Sequence, residues 1–132
     1  MKNSFYNADG KNIILKMVRG IQENKDFLGE VDGLIGDGDH GMNMNKGFSV
    51  FEQRFGEDAF SFSEGLGNLS MILMNEIGGS MGPIYGTILM SMGDAIDDSE
   101  KEEIELGDFS AYFEAGLEGL YDIVDARVGD KT

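Results

Sequence analysis

The sequence contains no cysteine and no tryptophan, and it has a single proline and a single histidine. Without cysteine there is no disulfide framework, no thiol nucleophile and no cysteine-based zinc site. Apolar runs are only a few residues long, so no segment is predicted to span a membrane. The N-terminal stretch MKNSFYNADGKN lacks the apolar core of a signal peptide. These absences predict a cytoplasmic protein.

Basic residues are scarce. Ten Lys and Arg stand against 25 Asp and Glu, which gives a formal net charge of −15 over 132 residues. Binding to nucleic acid depends on clusters of Lys and Arg, and the sequence has none, so no nucleic-acid partner is expected. An anionic membrane surface is an equally poor partner. Part of the acidic excess lies in segment 94–108, which is predicted to be a solvated loop or helix face.

Apolar residues recur at spacings of three and four through five segments, which predicts five helices with one buried face each. No segment shows sustained alternation of apolar and polar residues, so we expect no β-sheet. With 41% hydrophobic residues the chain can build a core, and its length indicates one domain. The predicted fold class is all-α, a helical bundle. The five apolar sets are Ile14, Met17, Val18 and Ile21; Met44, Phe48, Phe51 and Phe55; Leu66, Leu69, Leu73 and Ile77; Tyr85, Ile88, Leu89 and Met92; and Phe109, Tyr112, Phe113, Leu117, Leu120 and Val124.

Residues that favour helix ends separate the five segments. Asp9 is predicted to cap the first helix, Ser61 or Ser63 the third and Asp108 the fifth, because their side-chain oxygens can accept from unpaired N–H groups. Pro83 is predicted in the first turn of the fourth helix, where its missing N–H needs no partner.

The stretch LIGDGDHGMN, residues 34–43, carries the glycine pattern of a dinucleotide-binding loop. A dinucleotide-binding loop requires a preceding strand within a βαβ unit, and neither is predicted here. No Gly-Lys-Ser/Thr occurs, so the stretch is not a P-loop. An EF-hand loop begun at Asp37 lacks its ligand at the fifth position, its glycine at the sixth and its glutamate at the twelfth.

Three carboxylates in and just before this stretch remain to be explained. Asp32, Asp37 and Asp39 lie within eight residues, in a glycine-rich bend between two helices. Carboxylates at such short separations repel one another unless a cation lies among them. A site whose ligands are all oxygen atoms favours Mg²⁺, Ca²⁺ or Mn²⁺. Either the bend holds a metal that bridges to phosphates, or it is a solvated Asp/Gly turn. His40 lies inside it, either as a donor to the site or as a surface residue.

Two further glycine-containing stretches follow. IGGSMGPIYG, residues 77–86, joins the third and fourth helices and is either an anion-binding nest or a tight interhelical turn. VGDKT, residues 128–132, contains a Gly-Asp turn.

The sequence resembles the nucleotide-binding L subunit of bacterial dihydroxyacetone kinase. The resemblance rests on three motifs and on their order and separation: DGLIGDGDHGMNMNKGF, GGSMGPIYGT and GDKT. The resemblance begins near residue 10 and reaches the last residue. It implies an antiparallel barrel of eight α-helices, about five of them covered here, with ADP bound at one end. It also implies two Mg²⁺ ions that join Asp32, Asp37 and Asp39 to the nucleotide phosphates. The residues expected at the nucleotide are His40, Gly41, Met42, Asn43, Gly79, Ser80, Met81 and Gly129.

The resemblance also implies partners. In the phosphotransferase-linked members ADP stays bound as a cofactor, is rephosphorylated by a phosphohistidine protein (the M subunit), and passes the phosphoryl group to dihydroxyacetone on a separate K subunit. Other members are fused to the K domain and use ATP. Catalysis would then rest on positioning and on electrostatic stabilisation, with no nucleophile from this chain. We expect residues 1–132 to be a single domain of this type, C-terminally incomplete and not active alone.

Two positions depart from the family pattern. Met81 stands where the family usually has a serine, so a hydroxyl expected at the nucleotide is missing, and Ser80 is the neighbouring candidate to replace it. Val124 stands where a glycine often precedes the last motif. These departures support an alternative function, a catalytically impaired relative that acts as a metal- and nucleotide-binding or regulatory module.

Overall fold

A computed structural model describes residues 4–77 and 81–123. A short strand, β1 (Ser4–Tyr6), and one turn of 3-10 helix (Asn7–Asp9) lead into helix α1 (Lys11–Gly33). The helices α2 (His40–Phe55), α3 (Phe62–Glu76) and α4 (Met81–Ser99) follow. A second strand, β2 (Glu103–Glu105), precedes helix α5 (Leu106–Tyr121). The prediction of an all-α bundle is confirmed.

The helices pack mainly on their neighbours in sequence, with α1 against α2, α3 against α4 and α4 against α5. The predicted apolar faces of the first four helices contribute to one core. Its buried side chains are Ile14, Val18, Met44, Phe48, Phe51, Phe60, Phe62, Leu66, Leu69, Ile72, Leu73, Ile77, Met92, Ile96, Ile104 and Tyr112. Within the described residues, no helix combines the length and the apolar character that crossing a membrane requires.

The expectation of no sheet is wrong. β1 and β2 form a two-stranded antiparallel sheet in which Phe5 pairs with Ile104. Strands of three residues are too short to show alternation, so periodicity does not reveal them. Segment 94–108 is correspondingly less solvated than predicted, because the side chain of Ile104 is fully buried.

The predicted caps have mixed outcomes. Ser61 caps α3 as predicted, in a capping box with Glu64 that satisfies backbone N–H groups in both directions. Pro83 lies in the first turn of α4, also as predicted. Asp9 does not cap α1, because it lies in the preceding 3-10 turn and Gly10 takes the cap position.

The start and the exposed face of α5 also differ from the predictions. The helix begins three residues earlier than expected, with Glu105 at the cap, so Asp108 accepts the N–H of Glu105 from inside the first turn. Of the predicted apolar face, Tyr112 is buried, whereas Phe109 and Phe113 are 36% and 46% exposed. Val124 lies outside the described residues.

Candidate metal and nucleotide site

The loop between α1 and α2 brings the three predicted aspartates together. Asp32 lies in the last turn of α1, Asp37 lies in the loop, and Asp39 is the cap residue of α2. One carboxylate oxygen from each lies within 4.8 Å of those of the other two. Among the residues that the structure describes, no other group of three His, Cys, Asp or Glu residues has ligand atoms this close.

Hydrogen bonds between neighbouring residues shape this loop. The Gly38 N–H donates to Oδ2 of Asp32 at 3.0 Å, and the Asp39 N–H donates to Oδ1 of Asp37 at 3.3 Å. Gly38 has a φ of +79°, a conformation that other residues adopt only at a cost. Gly36 lies against the carboxylate of Asp32, where a β-carbon would overlap Oδ1. Both glycines are therefore required for the close approach of Asp32 to the loop.

The carboxylates perturb one another. The side-chain hydrogen bond with Asp37 raises the pKa of Asp39, and the negative charges of Asp37 and Asp32 raise it further. The same hydrogen bond is the main cause that lowers the pKa of Asp37. Asn43 lies one helical turn beyond Asp39 and donates from Nδ2 to Oδ2 of Asp39 at 3.1 Å. The two opposite shifts mean that Asp39 takes up a proton before Asp37 does when no cation neutralises the pair.

The donor set fits a hard divalent cation. All three ligands are carboxylate oxygens, and Asp37 and Asp39 are exposed to solvent while Asp32 is half-buried. Mg²⁺ binds through one or two protein carboxylates and keeps its remaining positions for water and phosphate oxygens. An open cluster of carboxylates at the surface suits that coordination better than the enclosed cages that bind Ca²⁺ through six to eight oxygens.

The first turn of α2 supplies backbone donors beside the cluster. The N–H groups of His40, Gly41 and Met42 precede the first bond inside the helix, in which the Asn43 N–H donates to the Asp39 carbonyl at 3.0 Å. The backbone N–H of Asn43 is therefore already bonded, whereas those of His40, Gly41 and Met42 lie before the first bond of the helix and can serve a ligand. Unpaired N–H groups at a helix N-terminus attract phosphates.

Tyr85, on α4, lies beside the candidate site, and the sequence analysis did not predict this. Its hydroxyl lies 3.4 Å from Nε2 of His40, and the two rings meet edge to face with centroids 5.9 Å apart. Burial raises the pKa of the Tyr85 hydroxyl. The residue belongs to the second glycine motif, but its helical spacing with Ile88 and Leu89 assigned it to the core. A hydroxyl two residues after the proline of that motif was the available signal.

The second motif is described only in part. Met81 opens α4 with a half-buried side chain that packs against the core. Gly82 lies against the carbonyl of Leu73, so α3 and α4 touch through their backbones at this point. The predicted nucleotide-binding residues Gly79, Ser80 and Gly129 lie outside the described residues. Tyr85 links the second motif to the first through its contact with His40.

Comparisons with known proteins converge on one family. Residues 34–132 match the DAK2 domain family. The chain is 36% identical over 113 residues to the ADP-binding subunit DhaL of PEP-dependent dihydroxyacetone kinase 1 from Listeria innocua. It is 42% identical over 113 residues to the ADP-binding subunit DhaL of the PTS-dependent enzyme from Lactococcus lactis. To the corresponding PEP-dependent subunit of Escherichia coli it is 32% identical over 110 residues.

These alignments cover most of the chain and about half of each relative. They include 85%, 85% and 81% of this chain, and 56%, 55% and 50% of the respective relatives. The predicted resemblance to the nucleotide-binding L subunit is confirmed.

Proposed function

The chain belongs to the DAK2 domain family, and on that basis we propose that it is the nucleotide-binding part of a kinase for dihydroxyacetone or a related short ketose. In this proposal residues 1–132 are part of a single domain of the L-subunit type. The domain binds ADP or ATP through two Mg²⁺ ions held by Asp32, Asp37 and Asp39. The observation that carries the proposal is the convergence of these three carboxylates beside the N-terminus of α2.

A protein with a net charge of −15 repels a polyphosphate unless the local charge is reversed. Bound Mg²⁺ would supply that reversal and would neutralise charge on the transferred phosphoryl group. Asp32, Asp37 and Asp39 hold the cations, and the hydrogen bonds of Gly38 and Asn43 keep two of these carboxylates in place. The first-turn N–H groups of α2 donate to phosphate oxygens.

The proposed partners are two proteins. A phosphohistidine protein, the M subunit, would rephosphorylate bound ADP, and a K subunit would hold the ketose that accepts the phosphoryl group. The names of the relatives from Listeria and Lactococcus, PEP-dependent and PTS-dependent, support a phosphoprotein donor. Direct use of ATP is the other form of the same proposal. The chain contributes positioning and charge to the transfer, and the acceptor lies on the K subunit.

A second candidate function is a metal- and nucleotide-binding or regulatory module without turnover. The observation that favours it is Met81, whose apolar side chain packs on the core at the start of α4, where a serine hydroxyl is expected. The two candidates share the aspartate cluster. They differ in whether addition of a K subunit and a phosphoryl donor yields phosphorylated dihydroxyacetone.

Calorimetric titration of ADP in the presence and absence of Mg²⁺ tests the shared part. ADP should bind only with Mg²⁺, and Asp37→Asn should weaken binding by more than about tenfold, since each tenfold change corresponds to about 1.4 kcal/mol. Asp98→Asn is the matched control, because it removes the same charge from an exposed position near the end of α4 and should leave the affinity unchanged. Equal ADP affinity in the Asp37→Asn variant and the parent would refute the assignment.

A further inference from the structure

Two residues that lie 45 positions apart connect the two glycine motifs. His40 opens α2 next to the aspartate cluster, and Tyr85 lies in the second turn of α4. The Tyr85 hydroxyl lies 3.4 Å from Nε2 of His40, with ring planes at 77°. Both side chains are partly buried. This contact is where the α4 end of the second motif reaches the metal loop.

The chemistry of the two groups indicates the direction of the hydrogen bond. A neutral imidazole has one donor nitrogen and one acceptor nitrogen. A half-buried phenol hydroxyl that donates to nothing is unfavourable, and among residues 4–77 and 81–123 the partner of the Tyr85 hydroxyl is Nε2 of His40. If Nε2–H donated instead, the phenol proton would be left to solvent, because no other acceptor reaches it within that part of the chain. For a neutral ring, donation from the Tyr85 hydroxyl to Nε2 is the arrangement that satisfies both groups within the protein.

We propose that Tyr85 is a positioning residue that holds His40 in the tautomer with its proton on Nδ1. An imidazole free in water favours the opposite tautomer, with the proton on Nε2, so the hydrogen bond from Tyr85 reverses the intrinsic preference. The partner of one ring nitrogen sets the proton on the other, as it does in metal-bound histidines.

The consequence for binding rests on the proposed function. If a nucleotide phosphate lies at the N-terminus of α2, the Nδ1–H of His40 is a donor that adds to the first-turn N–H groups. Without Tyr85 the His40 ring would mostly carry its proton on Nε2. The lone pair of Nδ1 would then repel a phosphate oxygen. Tyr85 would then act on nucleotide affinity through His40, without touching the nucleotide itself.

The tautomer can be measured directly because His40 is the single histidine of the chain. We would record the ¹⁵N resonances of the imidazole at about pH 9, where an ordinary imidazole is neutral. The parent should show a protonated Nδ1, and Tyr85→Phe should shift the population towards a protonated Nε2. Tyr6→Phe is the control, since Tyr6 is 49% exposed on β1 and should leave the spectrum unchanged. A protonated Nε2 in the parent, or an unchanged spectrum in Tyr85→Phe, overturns the proposal.

A double-mutant cycle tests the effect on affinity, with Mg-ADP as the probe. Tyr85→Phe should weaken binding by about three- to tenfold, the range of one hydrogen bond. The same substitution in a His40→Ala background should change affinity by less than about twofold, because the residue it acts through is gone. An equal loss in both backgrounds would indicate a merely structural role. If the parent does not bind Mg-ADP, the proposed function fails, while the tautomer measurement still decides the role of Tyr85.

Discussion

Gly41, the second residue of α2, lies directly against the backbone carbonyl of Lys25 in α1. A β-carbon on Gly41 would overlap that carbonyl and would lie 3.0 Å from the amide nitrogen of Gly29. The two helices thus meet backbone to backbone immediately after the loop that carries Asp37 and Asp39. Asp39 and His40 precede this contact directly, so the spacing of α1 and α2 sets the positions of the cap carboxylate and the imidazole.

Gly41→Ala should therefore damage both stability and the site. The new methyl group would collide with backbone atoms of Lys25 and Gly29. No flexible side chain can move aside to make room, so α1 and α2 must separate. We expect a loss of unfolding free energy of at least about 2 kcal/mol, in the upper range for overpacked interiors. Mg-ADP affinity should fall as well, because Asp39 would move away from Asp32. Chemical denaturation and calorimetry measure the two effects.

Gly20→Ala is the matched control for this substitution. Gly20 lies in the middle of α1, and a β-carbon there meets nothing within 4 Å. Alanine has a higher helix propensity than glycine, so this variant should be as stable as the parent or more stable by up to about 1 kcal/mol. Equal stability of the Gly41→Ala and Gly20→Ala variants would contradict the close contact between the helices.

Met81→Ser should strengthen the binding of Mg-ADP. The substitution restores a hydroxyl at the start of α4, and a hydrogen bond to a charged group contributes about 1.5–3 kcal/mol. Affinity should rise by about tenfold or more, measured by calorimetry, unless Ser80 already makes that hydrogen bond. The thermal stability should fall at the same time, because the side chain of Met81 packs against the core.

Met90→Ser is the control that separates the change in stability from the change in nucleotide affinity. Met90 is also a partly buried methionine of α4, so its loss should lower stability in the same direction without changing the nucleotide affinity. If Met81→Ser binds Mg-ADP no better than Met90→Ser, then either Ser80 supplies the hydroxyl or the nucleotide does not reach the start of α4. Adding Ser80→Ala to the Met81→Ser variant distinguishes these outcomes.

The contribution of the Lys101–Asp108 ion pair to stability should depend on pH. The hydrogen bond from Lys101 lowers the pKa of Asp108 and raises the pKa of Lys101. A lowered carboxyl pKa stabilises the fold above the ordinary value of about 3.9 and ceases to do so as the pH falls through the folded-state pKa. A raised lysine pKa stabilises the fold below about 10.4 and is lost as the pH rises through the folded-state value.

Asp108→Asn removes the charge but keeps a side-chain oxygen for the N–H of Glu105. The melting temperature of this variant should be below that of the parent at neutral pH, and the difference should disappear at strongly acidic pH. The effect should be small, because the Lys101 side chain is 47% exposed and solvent screens the pair. Asp122→Asn, at an exposed position just after α5, is the control. A constant difference between Asp108→Asn and the parent at all pH values would assign the effect to the capping box alone.

The predictions that succeeded depend on residues close together in the chain. Ser61 and Glu64 are three residues apart, and their capping box follows from that spacing. Asp32, Asp37 and Asp39 fall within eight residues, so a single glycine-rich bend is enough to bring their carboxylates together. The apolar faces of α1 to α3 follow from a period that each helix sets by itself.

The features that sequence reasoning missed join distant residues. Ser4 pairs with Glu105 across almost the whole described chain, and neither three-residue strand has a pattern of its own. The pairing of β2 with β1 also sets where α5 begins, because Glu105 is both the last strand residue and the helix cap. Helices α1 to α4 lie between the two strands in the sequence, so no local window of the sequence contains both.

The sequence by itself determined the helices of this protein, its cluster of three aspartates and its family, because spacing within one segment is enough for each. Only the tertiary structure decided that Gly41 must lie against Lys25 and that the hydroxyl of Tyr85 reaches His40. The physical reason is that helix periodicity and turn conformation are set by residues a few positions apart. The distance between two packed helices depends instead on the size of the side chains at their contact, which come from distant parts of the sequence. The loop carries the aspartates, and the packing of α1, α2 and α4 sets what surrounds them.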